Sequence, residues 1–282
     1  MCWCGCLKGL SPLMRLCLPT AIALLILWLY FGFLINPVGL RTLPLLHVVH
    51  FHVCVGLLGA SLFRTMTAKV FARDSPLLAQ LQDDNADIGG IEQKFHGGKR
   101  FCRKCALPKP DRTHHCSTCN ACIAKMDHHC VFLNKCIGLE NYKFFVLFLF
   151  WSAVSCLNEA ALLYTFVVPT SLEQLGVDFI AGTLSFRSTD FQIVAIFFVA
   201  LCVGIALSCF GLMHFYLAAF NMTTLEYCEK RDEIGYVNYY HVGTLANLRQ
   251  VFGPPPVAFL PRHPAHMGEL RMAFPSTKLK QL

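Results

Sequence analysis

Cys102-Arg103-Lys104-Cys105, His114-His115-Cys116-Ser117-Thr118-Cys119-Asn120-Ala121-Cys122 and Asp127-His128-His129-Cys130, closed by Cys136, put seven cysteines and four histidines within 35 residues. A Cys-x-x-Cys turn offers two thiolates to one zinc at about 2.3 Å, and a histidine nitrogen adds a ligand at about 2.0 Å. The residues between the ligands include Lys, Arg, Asp, Asn and Thr, so a core of buried cysteines is excluded. Two zinc ions, each held by three cysteines and one histidine, consume six cysteines and two histidines. One thiol is left over. Spacing alone leaves several interleaved ligand pairings open, but a spare thiol beside a spare histidine is a candidate nucleophile.

Outside this stretch the chain reads as a membrane protein. Of its 282 residues 55% are hydrophobic and 15% charged, with a mean hydropathy of +0.50. Soluble domains carry about 25% charged residues. Sixteen cysteines would suit a small disulfide-rich secreted fold, but the paired spacing suits metal and a reducing, cytosolic setting. Four apolar stretches, 18–35, 43–63, 144–168 and 191–220, approach the roughly 20 residues needed to cross a bilayer. The first follows Lys8 and Arg15 and contains Pro19. With Asn36-Pro37-Val38-Gly39 behind it rather than a small-residue cleavage site, it is expected to be a membrane helix and not a signal peptide. Residues 64–143 carry 13 of the 24 Lys and Arg, and the tail after Phe220 carries seven, so the central loop and both termini are expected in the cytosol.

The expected fold class is therefore an all-α membrane protein. It has four transmembrane helices and a cytosolic, zinc-stabilised cysteine-rich domain between helices two and three. The divisions are a cytosolic N-terminus 1–17, helices one and two over 18–63, the loop 64–143, helices three and four over 144–220, and a cytosolic tail 221–282. Within the loop, 64–98 reads as linker with Asp83, Asp84, Asp87 and Gly89-Gly90, and one short helix is expected around 76–82. Residues 99–143 are too few and too polar to build a core, so they need metal to hold a shape. In an extended segment His128 and Cys130 share one face and His129 the other. Strict alternation puts Asp127 on the wrong face.

Thr223 and Glu226 have the spacing of a capping box at a helix start. The prolines of Gly253-Pro254-Pro255-Pro256, Pro261 and Pro264 predict an irregular end beyond residue 253. Trp151, Ser155 and Leu162 lie roughly on one face of the third apolar helix. Asn158 and Glu159, unusual in hydrocarbon, should face the bundle or the lumenal surface. Cys2, Cys4, Cys6 and Cys228 are candidates for acylation near the membrane.

Residues 99–145 resemble the cysteine-rich domain of the DHHC protein S-acyltransferases, or palmitoyltransferases. The match is carried by Cys102, Cys105, Pro110, Arg112, His115, Cys116, Cys119, Cys122, Asp127-His128-His129-Cys130, Cys136, Asn141 and Phe145. Thr223-Thr224-Leu225-Glu226 resembles the family's TTxE motif, and Asn247-Leu248-Arg249-Gln250-Val251-Phe252-Gly253 its C-terminal asparagine motif. Phe63-Arg64-Thr65-Met66 gives a looser likeness to the Golgi-type members.

The resemblance implies two structural zinc ions, one on Cys102, Cys105, His115 and Cys122, the other on Cys116, Cys119, His129 and Cys136. It also implies a catalytic set of Cys130, His128 and Asp127. The activity would be that of a protein-cysteine S-palmitoyltransferase, with acyl-CoA (palmitoyl-CoA) as donor and membrane-associated proteins bearing cytosolic cysteines as acceptors. Its setting is the lipid bilayer of the Golgi or endoplasmic reticulum, and no nucleic-acid partner is expected. By the same likeness Asn247 satisfies backbone groups near helix three, and Ser155 lies near the closed end of an acyl tunnel. Lys135, Lys143, Arg100 and Arg103 are cations available to the CoA head, none of them assigned.

One departure matters. The family usually continues Cys-Pro-Trp and then two Asn before the next Cys, whereas Val131-Phe132-Leu133-Asn134-Lys135 follows Cys130 here. Loss of proline frees a fixed φ beside the nucleophile. A catalytically weak or inactive membrane adaptor is therefore the alternative. A membrane-anchored ubiquitin ligase with a RING-type finger is disfavoured by the compact ligand spacing.

Overall fold

A computed structural model describes residues 12–35, 44–72, 100–166, 173, 176–177, 179–181, 189–230, 236–267, 270 and 274–277. The linker helix expected at 76–82, the connection 36–42, and Cys2, Cys4 and Cys6 lie outside the described residues. The chain forms two compact units, one of residues 19–60 and 147–212, the other of residues 1–18, 61–146 and 213–282.

The first unit is made of the greater part of four long apolar helices, α1 (Pro12–Ile35), α2 (Leu45–Thr67), α3 (Tyr142–Phe166) and α4 (Thr189–Ala219), whose remaining ends belong to the other unit. Three of them, over Leu45–Thr67, Tyr142–Thr165 and Gln192–Ala219, are long and apolar enough to cross a membrane; the apolar part of α1, Cys17–Gly32, is shorter. Leu29, Phe51, Cys156, Ala160, Leu162, Leu163, Ile193, Ile196 and Ala200 form the unit's core. Gly204 permits a close approach there, because a Cβ on it would lie 2.8 Å from Leu157 Cδ2. Leu46, Val49, Phe198 and Leu212 stay exposed, as side chains facing lipid would. Serines and threonines in apolar helices commonly bond the carbonyl one turn back, as Ser208 does to Gly204. Ser155 does not: it is buried and its Oγ has no hydrogen-bond partner among the described residues. Glu159 is buried too, facing the interior, while Trp151 is half-buried.

The second unit is not helical throughout, which corrects the all-α expectation. Between α2 and α3 the chain makes three antiparallel hairpins: β1 (Phe101–Cys102) with β2 (Leu107–Pro108), β3 (His114–Cys116) with β4 (Ala121–Ile123), and β5 (His128–Cys130) with β6 (Lys135–Ile137). Each Cys-x-x-Cys sits at a hairpin turn: Cys102 ends β1 and Cys116 ends β3, with Cys105 and Cys119 in the turns that follow. Each hairpin turn ends on a residue with positive φ: Ala106 (52°), Asn120 (49°) and Asn134 (47°). These recur every 14 residues, so the doubled zinc pattern of the sequence is the visible part of a threefold repeat.

Within this unit buried polar groups tie the hairpins to the last turn of α2. Asn141, fully buried, donates from Nδ2 to the carbonyls of Thr65 (3.2 Å) and Cys136 (3.0 Å) and accepts from Gly138 N–H (2.9 Å). Gly138 has no alternative, since a Cβ there would sit 2.7 Å from the Ala124 carbonyl oxygen. After α4 come α5 (Thr224–Lys230), α6 (Thr244–Phe252) and α7 (Pro255–Ala258). Among the described residues beyond 253 the chain is mostly irregular, as expected, apart from the single turn of α7, where Pro255 stands at a helix start and a missing N–H costs nothing. Tyr240, Met267, Leu270 and Phe274 from the tail bury against Cys102, Cys122, Ala124 and Leu139 of the hairpins. Asn247 also needs correcting. Its Nδ2 donates to the Ala219 carbonyl (2.8 Å) at the end of α4, and its Oδ1 accepts from Val242 N–H (3.1 Å), so it braces helix four and not helix three.

Candidate active site and metal centres

The hairpins bring eight ligand-type side chains into two groups, Cys102, Cys105, His115 and Cys122, and Cys116, Cys119, His129 and Cys136. Within each group the donor atoms all lie within 4.8 Å of one another. A tetrahedral zinc with the bond lengths above sets nitrogen and sulfur about 3.5 Å apart. His115 Nδ1 lies 3.6, 3.3 and 4.0 Å from the sulfurs of Cys102, Cys105 and Cys122. His129 Nδ1 lies 3.7, 3.4 and 3.5 Å from those of Cys116, Cys119 and Cys136.

Crowded thiols also need a cation before they can all ionise. Burial and hydrogen bonds to Cys102 and Cys105 push the Cys122 thiol up to about 12. Hydrogen bonds with Cys116 and Cys119, then burial, push Cys136 up as well. Both groups can hold zinc, and four protein donors leave no open coordination position. The groups contain the same residues as the sets that the resemblance implied.

The order of the ligands follows the repeat. The Cys-x-x-Cys of hairpin one is completed by His115 and Cys122 of hairpin two. The Cys-x-x-Cys of hairpin two is completed by His129 and Cys136 of hairpin three. In hairpin three the corresponding positions are Cys130 and Leu133. No fourth hairpin follows, because α3 begins at Tyr142. Cys130 is buried and belongs to neither group.

His128 lies two residues before it on the same face of β5. Its Nδ1 lies 2.6 Å from Asp127 Oδ2, which leaves Nε2 for the sulfur. Burial alone would push His128 down, but the hydrogen bond to Asp127 and the Cys130 thiol raise it to about 9. Asp127 precedes the strand, its N–H bonded to the Ile137 carbonyl (2.9 Å), so its side chain is free of strict alternation. Burial would push its carboxyl up. The hydrogen bond and charge of His128, the His214 imidazole and the Thr224 N–H outweigh that and hold it down to about 2.

Asp127 is fixed from the far side by α5. Thr224 donates its N–H (2.9 Å) to Oδ1 and its hydroxyl (2.8 Å) to Oδ2. The neighbouring Thr223 closes the capping box, its N–H on Glu226 Oε2 (2.9 Å) and its Oγ1 accepting from Glu226 N–H (3.2 Å). Glu226 in turn takes both branches of the buried Arg112, from Nε and Nη2, at 2.6 Å each. Arg112 also donates to Asn221 Oδ1 (3.0 Å) and its carbonyl (2.7 Å), and its guanidinium lies 4.3 Å over the Tyr240 ring. One motif therefore does two jobs: Thr224 holds the carboxylate, and Thr223 with Glu226 holds the helix that carries Thr224.

Three cations offered by the sequence are already engaged. Lys143 is buried with Nζ on the carbonyls of Phe252 (2.7 Å) and Val257 (2.9 Å), and Lys135 donates to the carbonyl of Met66. Arg100 donates to the Thr113 carbonyl (3.0 Å). His214 was missed by sequence reasoning. Its Nδ1 is 4.0 Å from Asp127 Oδ2, and with Asp127 and His128 it makes a third tight group of ligand-type atoms. An ionisable residue inside an apolar span was the signal available for it.

The family model for the DHHC palmitoyltransferase domain matches residues 96–231. Human palmitoyltransferase ZDHHC2 is 39% identical over 173 residues, covering 59% of this chain and 44% of that protein. Palmitoyltransferase ZDHHC15A of Danio rerio is 29% identical over 277 residues, 88% of this chain and 81% of that protein. Human palmitoyltransferase ZDHHC20 is 40% identical over 157 residues, 55% and 40% of the two chains. The chain thus spans under half the length of the two human relatives it matches.

Proposed function

We propose that this chain, which belongs to the DHHC palmitoyltransferase family, transfers a long-chain fatty acyl group from acyl-CoA to cysteines of membrane-associated proteins through an acyl-enzyme on Cys130. One observation carries the reading: of the seven cysteines in the hairpins, Cys130 is the thiol left outside two four-donor groups, and it shares a strand face with a histidine that Asp127 orients.

In the first half-reaction the Cys130 sulfur attacks the thioester carbonyl. The proton shared by Cys130 and His128 sits at Nε2 when the sulfur attacks and passes to the departing sulfur of CoA, leaving a new thioester on Cys130. In the second, a substrate thiol gives its proton to His128 and attacks that thioester, and the proton returns to the Cys130 sulfur. Asp127 keeps the Nδ1–H of His128 pointed at itself throughout and stabilises the imidazolium, as a triad carboxylate does. The zinc ions supply the rigidity of the hairpins. Asp127 would otherwise be a buried carboxylate without a scaffold.

The topology that suits this chemistry has four crossings with α1 as the first. Both termini and the hairpin domain are cytosolic, in the Golgi or endoplasmic reticulum membrane. Positive charge concentrated in 64–143 and after Phe220 supports the orientation.

The test is incubation of the purified full chain with a clickable acyl-CoA. A hydroxylamine-sensitive label should appear on the wild type and vanish in Cys130→Ser, with two zinc ions per chain in both. A wild type that binds two zinc ions yet takes no label would make the chain a membrane adaptor.

A further inference from the structure

The catalytic imidazole is boxed by residues that neither the zinc groups nor the TTxE motif account for. His128 lies edge-on to Phe145, ring centroids 5.2 Å apart, and tilted against His214 at 5.7 Å. Phe145 and His214 meet edge to face at 5.2 Å, so the three rings close on one another. Phe145 comes from the first turn of α3 and His214 from near the end of α4, and both are buried to within 1%.

Tyr142, one turn-face away on α3, fixes the orientation of His214. Its hydroxyl donates to the His214 carbonyl (3.1 Å) and lies 3.3 Å from His214 Nδ1. A phenol has one proton. With that proton on the carbonyl, the phenolic oxygen can only accept from the ring, which puts the His214 proton on Nδ1. The same N–H edge faces Asp127 Oδ2 at 4.0 Å. The carboxylate is thus met by three direct donors, from His128 and Thr224, and by a fourth positive edge at longer range.

We propose that Tyr142 and His214 are positioning residues for acyl transfer: Tyr142 sets the tautomer of His214, and His214 with Phe145 holds the His128 ring in the plane that presents Nε2 to Cys130. The inference rests on the reading of Cys130 as acyl carrier. It locates their influence in the rate of the chemical step and not in binding of acyl-CoA or retention of zinc. A ring free to tilt would spend less time aligned with the sulfur, and misplacement of this kind is costly.

The experiment follows single-turnover acylation of the full chain in lipid nanodiscs against palmitoyl-CoA concentration, for wild type, His214→Leu, His214→Asn and Tyr142→Phe. Asparagine returns an N–H near the position of Nδ1 without the ring. His214→Leu should slow the maximal acylation rate about 30-fold, Tyr142→Phe about fivefold, and His214→Asn should recover roughly half of the logarithmic loss. The palmitoyl-CoA concentration at half-maximal rate should stay within about twofold, with two zinc ions retained.

A rate for His214→Leu within about twofold of wild type would overturn the proposal. So would a loss expressed only in half-saturation, a missing zinc ion, or an asparagine variant no faster than the leucine one. Alkylation of Cys130 by iodoacetamide provides a second readout that needs no acyl transfer. If the wild type takes no acyl label, the acyltransferase reading fails. The positioning claim is then judged on alkylation alone, where an unchanged rate in His214→Leu sinks it and a slowed one sustains it.

Discussion

Hairpins β3–β4 and β5–β6 pair in the same register. His114 faces Ile123, His115 faces Cys122 and Cys116 faces Ala121 in one; His128 faces Ile137, His129 faces Cys136 and Cys130 faces Lys135 in the other. Both turn on an asparagine with φ just under 50°. Their chemistry nevertheless diverges. Cys116 has Cys119 three residues on and is drawn into a zinc-type group, whereas Cys130 has the buried apolar Leu133 there and is not. His114 follows Thr113, and burial with the Arg100 charge pushes it down; His128 follows Asp127 and is pushed up. The hairpin of the proposed nucleophile is thus a metal-ligand hairpin with one ligand deleted and one carboxylate added, on a backbone that hardly changes.

The carboxylate is the larger of the two differences. Asp127→Thr restores in hairpin three the residue that precedes His114 in hairpin two. Thr224 loses its acceptor, and nothing directs the His128 proton toward Nδ1 and away from the sulfur. Acyl-enzyme formation should fall about 10²- to 10⁴-fold, the range for losing a triad carboxylate or a general base. Metal analysis should still find two ions per chain, since no ligand is touched. A variant that acylates within about tenfold of wild type would mean the difference between the hairpins does not lie in the carboxylate.

Leu133→Cys tests the deleted ligand and should act more mildly. It recreates Cys-x-x-Cys in the third hairpin with no successor hairpin to complete four donors, so the affinity gained for zinc is modest. In enzyme that retains its two zinc ions per chain, with excess zinc removed by a mild chelator, the variant should acylate within a few-fold of wild type. Added micromolar zinc should then slow it about tenfold, and chelator should reverse that, because a thiolate that coordinates metal is a poorer nucleophile. Titrating single-turnover rates with zinc checks this, and identical titrations for variant and wild type would refute it.

The sequence carried these differences unevenly. The closely spaced thiols and the long apolar runs were legible because metal geometry and bilayer thickness act on spacing and length alone. The hairpins were not, since two- and three-residue strands have no hydrophobic period to detect, and this is why an all-α class was expected. The grouping of ligands was open at the level of spacing, because each group borrows two donors from the next hairpin. Asp127 looked misplaced under strict alternation, but the strand begins at His128 and leaves it outside. Asn247 was expected at helix three and braces helix four, and His214 was hidden in an apolar span. Both act across more than 20 residues of chain. Contacts of that range are fixed by tertiary packing, to which local pattern is blind.

The third difference is Lys135, opposite Cys130 where Ala121 stands opposite Cys116. Its place in the chain, where the family usually has asparagine, raised the alternative of an inactive adaptor, and its charge made it a candidate for the CoA head. The structure engages its Nζ with the carbonyl of Met66 at the last turn of α2. A cation at a helix C-terminus is worth about 0.3–1 kcal/mol. Lys135→Ala should therefore lower stability by about that amount in thermal unfolding, and acylation should stay within about threefold of wild type. Lys135→Arg should keep the carbonyl contact and most of the stability. If alanine instead raises the half-saturating acyl-CoA concentration about tenfold and arginine restores it, Lys135 is reading the phosphates of the donor. The two hairpins would then differ in substrate recognition as well as in chemistry.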